Sequence, residues 1–68
     1  MNASELSDVI GRRLVLLCNG YSCAGKLVTV DAEHVALEDG AIADSADGVY
    51  RQSGRTTVRL SDIKSFHE

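Results

Sequence analysis

The feature that most limits what this chain can become is the dipeptide Asn19-Gly20, set between two runs of strand-forming residues. Asn-Gly is the favoured pair for a two-residue type I′ turn, whose backbone twist suits antiparallel strands. Leu14-Val15-Leu16-Leu17-Cys18 precedes it, and the chain resumes at Tyr21 and runs on to Val30. A two-residue turn fixes the register. Cys18 is expected opposite Tyr21, Leu16 opposite Cys23 and Leu14 opposite Gly25, and residues that face each other share a side of the sheet. Leu14, Leu16, Cys18, Tyr21, Cys23 and Gly25 therefore make the expected core face. A glycine inside a strand marks a sharp bend or the close approach of another backbone, so the second strand is expected to bend at Gly25.

Around this hairpin the remaining elements fall into place. A short helix is expected at about 4–10, with Ser4 as N-cap, Glu5 and Asp8 near its positive end, and Leu6, Val9 and Ile10 on one face. Gly11 stops it. Strands follow at about 12–18, 21–30 and 33–39, the third pointing Val35 and Leu37 inward. Asp39-Gly40 ends that strand or bulges it. A variable region spans about 40–54, acidic and Ala-rich over 40–48, with Val49-Tyr50 at most a weak extension. A fourth strand at about 55–60 leads through a 3₁₀ turn at Ser61-Asp62-Ile63 to a short closing strand at about 64–67. The fold class is mainly β: one domain over residues 1–68, a short N-terminal α-helix followed by a five-stranded, strongly bent antiparallel barrel of the SH3-like kind.

Size and charge narrow the function. The chain has 68 residues, and a domain this small has a thin core that is usually reinforced by disulfides, a metal or oligomerisation. Cys18 and Cys23 would supply one bridge at most, and neither histidine stands at a zinc-like spacing from them. Oligomerisation is the expected reinforcement. The net charge is −3, unlike that of a protein that coats duplex nucleic acid. Arg12-Arg13 and the evenly spaced Arg51, Arg55 and Arg59 read first as a solvated surface. Nothing in Met1–Glu5 resembles a signal peptide, and the longest apolar run is too short to span a bilayer. A soluble cytoplasmic protein with two free thiols and no membrane contact is expected.

The segment from Val9 to Asp31 resembles the first motif of the Sm-like proteins, the LSm and Hfq type. Gly11, Arg12, Arg13, Leu14, Leu16, Gly20, Gly25, Leu27 and Asp31 follow that motif's order, and Val35, Leu37 and Asp39 resemble its end. The resemblance implies a ring-forming barrel that binds RNA through two loops. It also has departures. His34 falls where an Asn usually contacts a base, and the turn before it is one residue short. Ser61-Asp62 stands where the second motif has Arg-Gly or Lys-His. An aspartate repels phosphate, so the usual RNA site is expected to be weakened or absent.

The candidate nucleic-acid contacts are His34, which could stack on a base or donate to a phosphate, and Arg55. The plainer alternatives are a solvent-facing histidine and a polar turn residue. Tyr21 and Tyr50 are expected to pack before they stack. Asp39, Asp44 and Asp47 lack EF-hand spacing, and no metal or cofactor is expected. No nucleophile, acid–base pair or phosphate loop has the spacing that catalysis needs, so no enzyme and no small-molecule substrate are expected. Two functions remain open. One is a ring-forming Sm-like module that binds RNA or single-stranded nucleic acid. The other is a homo-oligomeric protein-interaction module without nucleic acid. Both assemble through edge strands.

Overall fold

The structure, a computed structural model, describes residues 1–44 and 49–68, with side chains described at 1–43 and 54–68. Helix α1 covers Ala3–Ser7. The strands are β1 at Arg13–Cys18, β2 at Tyr21–Val30, β3 at His34–Asp44, β4 at Val49–Arg59 and β5 at Ile63–His67, with a 3₁₀ turn at Leu60–Asp62 before the last. They form one sheet in the order β4-β3-β2-β1-β5, and every ladder is antiparallel. The edges are thus β4 and β5.

The hairpin has the expected register, with Leu16 opposite Cys23 and Leu14 opposite Gly25. Its turn differs. Gly20 has φ +85, but Asn19 does not share the positive φ that type I′ demands of both residues. A single positive φ at the second position is the mark of a type II turn. The Asn19 N–H donates to the Asp62 carbonyl at 3.1 Å. The turn is therefore docked on the 3₁₀ segment rather than left to its local preference.

Gly25 does mark the bend, and its partner is Gly40. Along the β2–β3 ladder Ala24 pairs with Ala41 and Lys26 with Glu38, so Gly25 alone faces Asp39-Gly40. Two residues opposite one is a β-bulge, which bends and twists its strand. Asp39 takes φ +52, a left-handed conformation that aspartate tolerates. The backbones nearly touch. A Cβ on Gly25 would meet the Glu38 carbonyl oxygen at 2.9 Å, and one on Gly40 would run into the Ala24 carbonyl and come within 2.8 Å of the Gly25 Cα. A second irregularity between Leu27 and Thr29 restores the register.

The expected variable region at 40–54 is shorter in the structure. β3 continues through the bulge to Asp44 and β4 begins at Val49. Ala, Gly and Ser have low strand propensity, but here β2 supplies a template: Tyr21 pairs with Asp44, Ser22 with Ala43 and Cys23 with Ile42. Residues 45–48 of the acidic stretch, and the side chains of Asp44, Tyr50 and Arg51, lie outside the described residues.

The helix is also shorter than its expected span of 4–10. Asn2, not Ser4, is its N-cap, and no side chain caps it. Val9 N–H donates to the Leu6 carbonyl and Arg12 N–H to that of Val9, so tight turns replace the second helical turn. Leu6 is fully buried, Val9 is half-buried, and Ile10 turns out to solvent at 48% exposure. Leu6 thus plugs a core made of Leu14, Leu16, Cys18, Cys23, Leu27, Val35, Leu37, Val58, Leu60 and Ile63. Each of the large aliphatic side chains contributes about 1.5–3 kcal/mol by leaving water.

Gly40→Ala should destabilise the fold by about 3 kcal/mol or more, because backbone must move. Gly54→Ala, where an added Cβ meets nothing within 4 Å, should stay within about 0.5 kcal/mol of wild type. Urea unfolding of the two variants checks this, and equal effects would remove the contact from its place in the fold.

Candidate functional site

Two turns meet at one end of the sheet. The first joins β2 to β3. The Asp31 carboxylate accepts the N–H groups of Glu33 at 2.9 Å and His34 at 2.7 Å, and the Asp31 N–H donates to the His34 carbonyl at 2.9 Å. Those two backbone donors hold the exposed Asp31 carboxyl below its ordinary range. The turn therefore orders the start of β3, where His34 stands half-buried with Nδ1 3.9 Å from the Asp31 oxygen.

The second turn follows β4. Arg59 is the last residue of β4 and pairs in register with His34. The next residue, Leu60, donates its N–H to the Glu33 carbonyl at 2.8 Å. This bond ties the two turns together. Between them lies an open hollow of about 540 Å³, lined by Glu33, His34, Arg59, Leu60 and Ser61, with Ala32 and Met1 beside them. The Met1 nitrogen donates to the Leu60 carbonyl at 3.3 Å. Arg59 is exposed, and no carboxylate pairs with it among the described residues. An imidazole and an adjacent guanidinium can together offer a ring to a base and a fixed charge to a phosphate. Glu33 opposes that charge from the rim.

Of the two residues singled out in the sequence, His34 lies in the hollow and Arg55 does not. Arg55 is a strand residue rather than a turn residue. It sits opposite Glu38 and bonds to it, Nη1 to Oε1, at 3.0 Å. It stands four residues along β4 from Arg59, or about 13 Å at the usual rise per residue. Arg59 was not singled out in the sequence, where the strand was expected to run to Leu60 with Ser61-Asp62 after it. β4 in fact ends at Arg59, so an arginine is the residue abreast of His34. The signal was present in the alternation of Thr57 and Arg59 outward with Val58 and Leu60 inward. Asp62 does not line the hollow. Its carbonyl instead holds the β1–β2 turn.

No protein-family model matches the sequence, and no curated protein matches it. Solved structures do. An Sm protein from Pyrococcus abyssii in complex with a uridine heptamer superposes with a TM-score of 0.76 at 15% identity, covering 93% of this chain and 90% of that one. The chain has the Sm-like fold. A heptameric archaeal Sm protein agrees at TM-score 0.74 and 23% identity, with 93% of each chain covered. A chain from the crystal structure of the NatC complex bound to CoA gives TM-score 0.71 and 27% identity, covering 90% of this chain and 79% of that one. In this Sm-like chain no described helix is long and apolar enough to cross a membrane.

The inner face of the Sm-like barrel carries its own chemistry. Cys18 and Cys23 are free and buried. Burial, and then the neighbouring Cys18, push the Cys23 thiol up to about 11. Burial likewise raises Cys18, and burial and then Cys18 bring Tyr21 to about 12. The native state keeps these protons while the unfolded chain begins to lose its thiol protons near 9. Stability contributed by the protonated groups is therefore full below pH 9 and lost as pH climbs toward 11. Urea midpoints should fall across that window, and Cys23→Ala should reduce the fall. A thiol-reactive dye at pH 8 should react slowly with the native protein and find two thiols in denaturant. Fast native labelling would contradict the buried, protonated pair.

Proposed function

We propose that this Sm-like chain is an assembly module whose copies pair β4 of one with β5 of the next into a closed ring, and that it binds single-stranded RNA at the His34–Arg59 hollow. The observation that carries the RNA reading is the register pair His34–Arg59, locked by the Leu60–Glu33 hydrogen bond. His34 supplies a stacking ring and Arg59 a phosphate contact. Arg55 serves as an outlying contact that would first have to release Glu38. The assembly reading rests on the two edge strands, which do not pair with each other among the described residues. An exposed strand edge is a template for another strand. Heptameric assembly and a bound uridine heptamer in the similar archaeal Sm structures support both parts. The reading assigns no catalysis, cofactor or metal. It places the protein in the cytoplasm, where free thiols stay reduced.

A second reading is favoured by the similarity to a chain in the NatC complex. In it, the same edges serve protein assembly and no RNA is bound, which the net charge of −3 suits.

Light scattering should give a mass several times that of one chain, and a monomer would refute assembly with itself. Fluorescence anisotropy at low salt should show binding of oligo-uridine that weakens steeply as salt rises. His34→Ala and Arg59→Ala should each weaken it about tenfold, the scale of one lost base stack or charge-assisted contact. An oligomer that binds no RNA at low salt would exclude the RNA reading and leave the second.

A further inference from the structure

The outer face of the sheet carries a charge pattern that the hollow does not use. One row crosses four strands: Arg13 on β1 is opposite Lys26 on β2, Lys26 is opposite Glu38 on β3, and Glu38 is opposite Arg55 on β4. The flanking residues Leu14, Gly25, Leu27 and Leu37 are buried, so this row faces solvent. Like charges directly opposite on neighbouring strands repel. Arg13 and Lys26 are such a pair.

Two nearby carboxylates are engaged elsewhere. Arg12 pairs with Glu68 and Arg55 with Glu38, each at 3.0 Å. Neither Arg13 nor Lys26 has a carboxylate within ion-pair reach among the described residues. Asp39, at the bulge, offers Arg13 its backbone carbonyl at 2.8 Å. That bond orients the guanidinium without neutralising it. The fold thus holds two cations side by side on a pair of strands, neither in an ion pair among the described residues.

Their position relative to the hollow gives the pair a use. The next level of the same face holds Thr29, Ala36 and Thr57 across β2, β3 and β4, and the level beyond it holds His34 and Arg59. Ala36 is buried between its threonine neighbours, and this level carries no charged residue. At the usual strand spacing and rise, Lys26 lies roughly 16 Å from Arg59. Glu38, the acidic residue along the way, is held by Arg55.

We infer that Arg13 and Lys26 form a second phosphate contact, so that a single strand seated in the His34–Arg59 hollow continues across the outer face of the sheet to this cation pair. The inference rests on the RNA reading above. A short oligonucleotide fills the hollow alone. A longer one gains the phosphate contacts at Arg13 and Lys26, and with them a steeper dependence on salt. Net charge misses this, because Glu5 lies on α1, Asp8 caps it and Asp62 sits in the 3₁₀ turn, and none of the three belongs to the row.

The test uses the full chain and oligo-uridine of two and of about fifteen nucleotides; the shorter is too short to reach from Arg59 to Lys26, and the longer covers the footprint of a small barrel. The double variant Arg13→Gln/Lys26→Gln should bind the short oligonucleotide as wild type does. It should bind the long one about tenfold more weakly, with the salt slope reduced by roughly 1.4, or about 0.7 for each lost phosphate contact. Arg59→Ala should weaken both lengths. The double variant should melt at or above the wild-type temperature, since it removes a repulsion, and a marked drop would make the pair structural and overturn the inference. Unchanged affinity and slope for the long oligonucleotide, with Arg59→Ala still weak, would overturn it and leave the RNA reading standing. Failure of the wild type to bind either length at low salt would remove both.

Discussion

The contact of two backbones at Gly25 and Gly40 is the constraint on which the rest depends. No side chain fits between β2 and β3 there. Because none is present, the bulge at Asp39-Gly40 can fold β3 sharply across its neighbour. The bend lets one continuous sheet act as two half-sheets that share an interior. Leu16, Leu27 and Leu37 meet inside it, and Leu6 closes it from the helix. A flat sheet of the same sequence would leave one face of those leucines in water, at a cost of about 1.5–3 kcal/mol for each exposed side chain. The glycines therefore act by geometry, and the leucines supply the energy.

Much of this was legible before the structure. The β1–β2 register, the inward face of the hairpin, the bend at Gly25 and the inward Val35 and Leu37 all follow from a short turn and a period of two. What was not legible depended on partners remote in sequence. The type of turn at Asn19-Gly20 is set by a hydrogen bond from Asn19 to Asp62, which no local preference contains. Residues 40–44 read as loop because Ala and Gly have weak strand propensity, yet a neighbouring strand recruits them. The site suffered from the same kind of error. Ending the fourth strand one residue late, at Leu60, drew attention to Ser61-Asp62 and away from Arg59, the residue abreast of His34. His34 was singled out because it falls where the first motif has an Asn, and Arg55 because it stood out as a charge. Only register could show that it is Arg59 that lies abreast of His34.

Charge shows how far composition and arrangement can differ. The chain is acidic overall. The outward positions of β1, β2 and β4 nevertheless gather Arg13, Lys26, Arg55 and Arg59 on one side of one sheet. A distant anion senses the total, but one already at the surface senses the nearest side chains, because water and salt screen the rest within about 10 Å. Such a molecule repels polyanions weakly at long range while presenting cations at contact.

The bond from Leu60 to Glu33 has a consequence for folding. It joins two turns separated in the chain by all of β3, residues 45–48 and all of β4. It can form only after those strands have paired, so the entropy of closing that long segment must be overcome first. The hollow is therefore absent from partly folded chains that contain only the β1–β2 hairpin. In hydrogen exchange, the Leu60 amide should report the opening of this junction separately from the fraying of either turn. That one amide gives a direct measure of how much of the time the hollow exists.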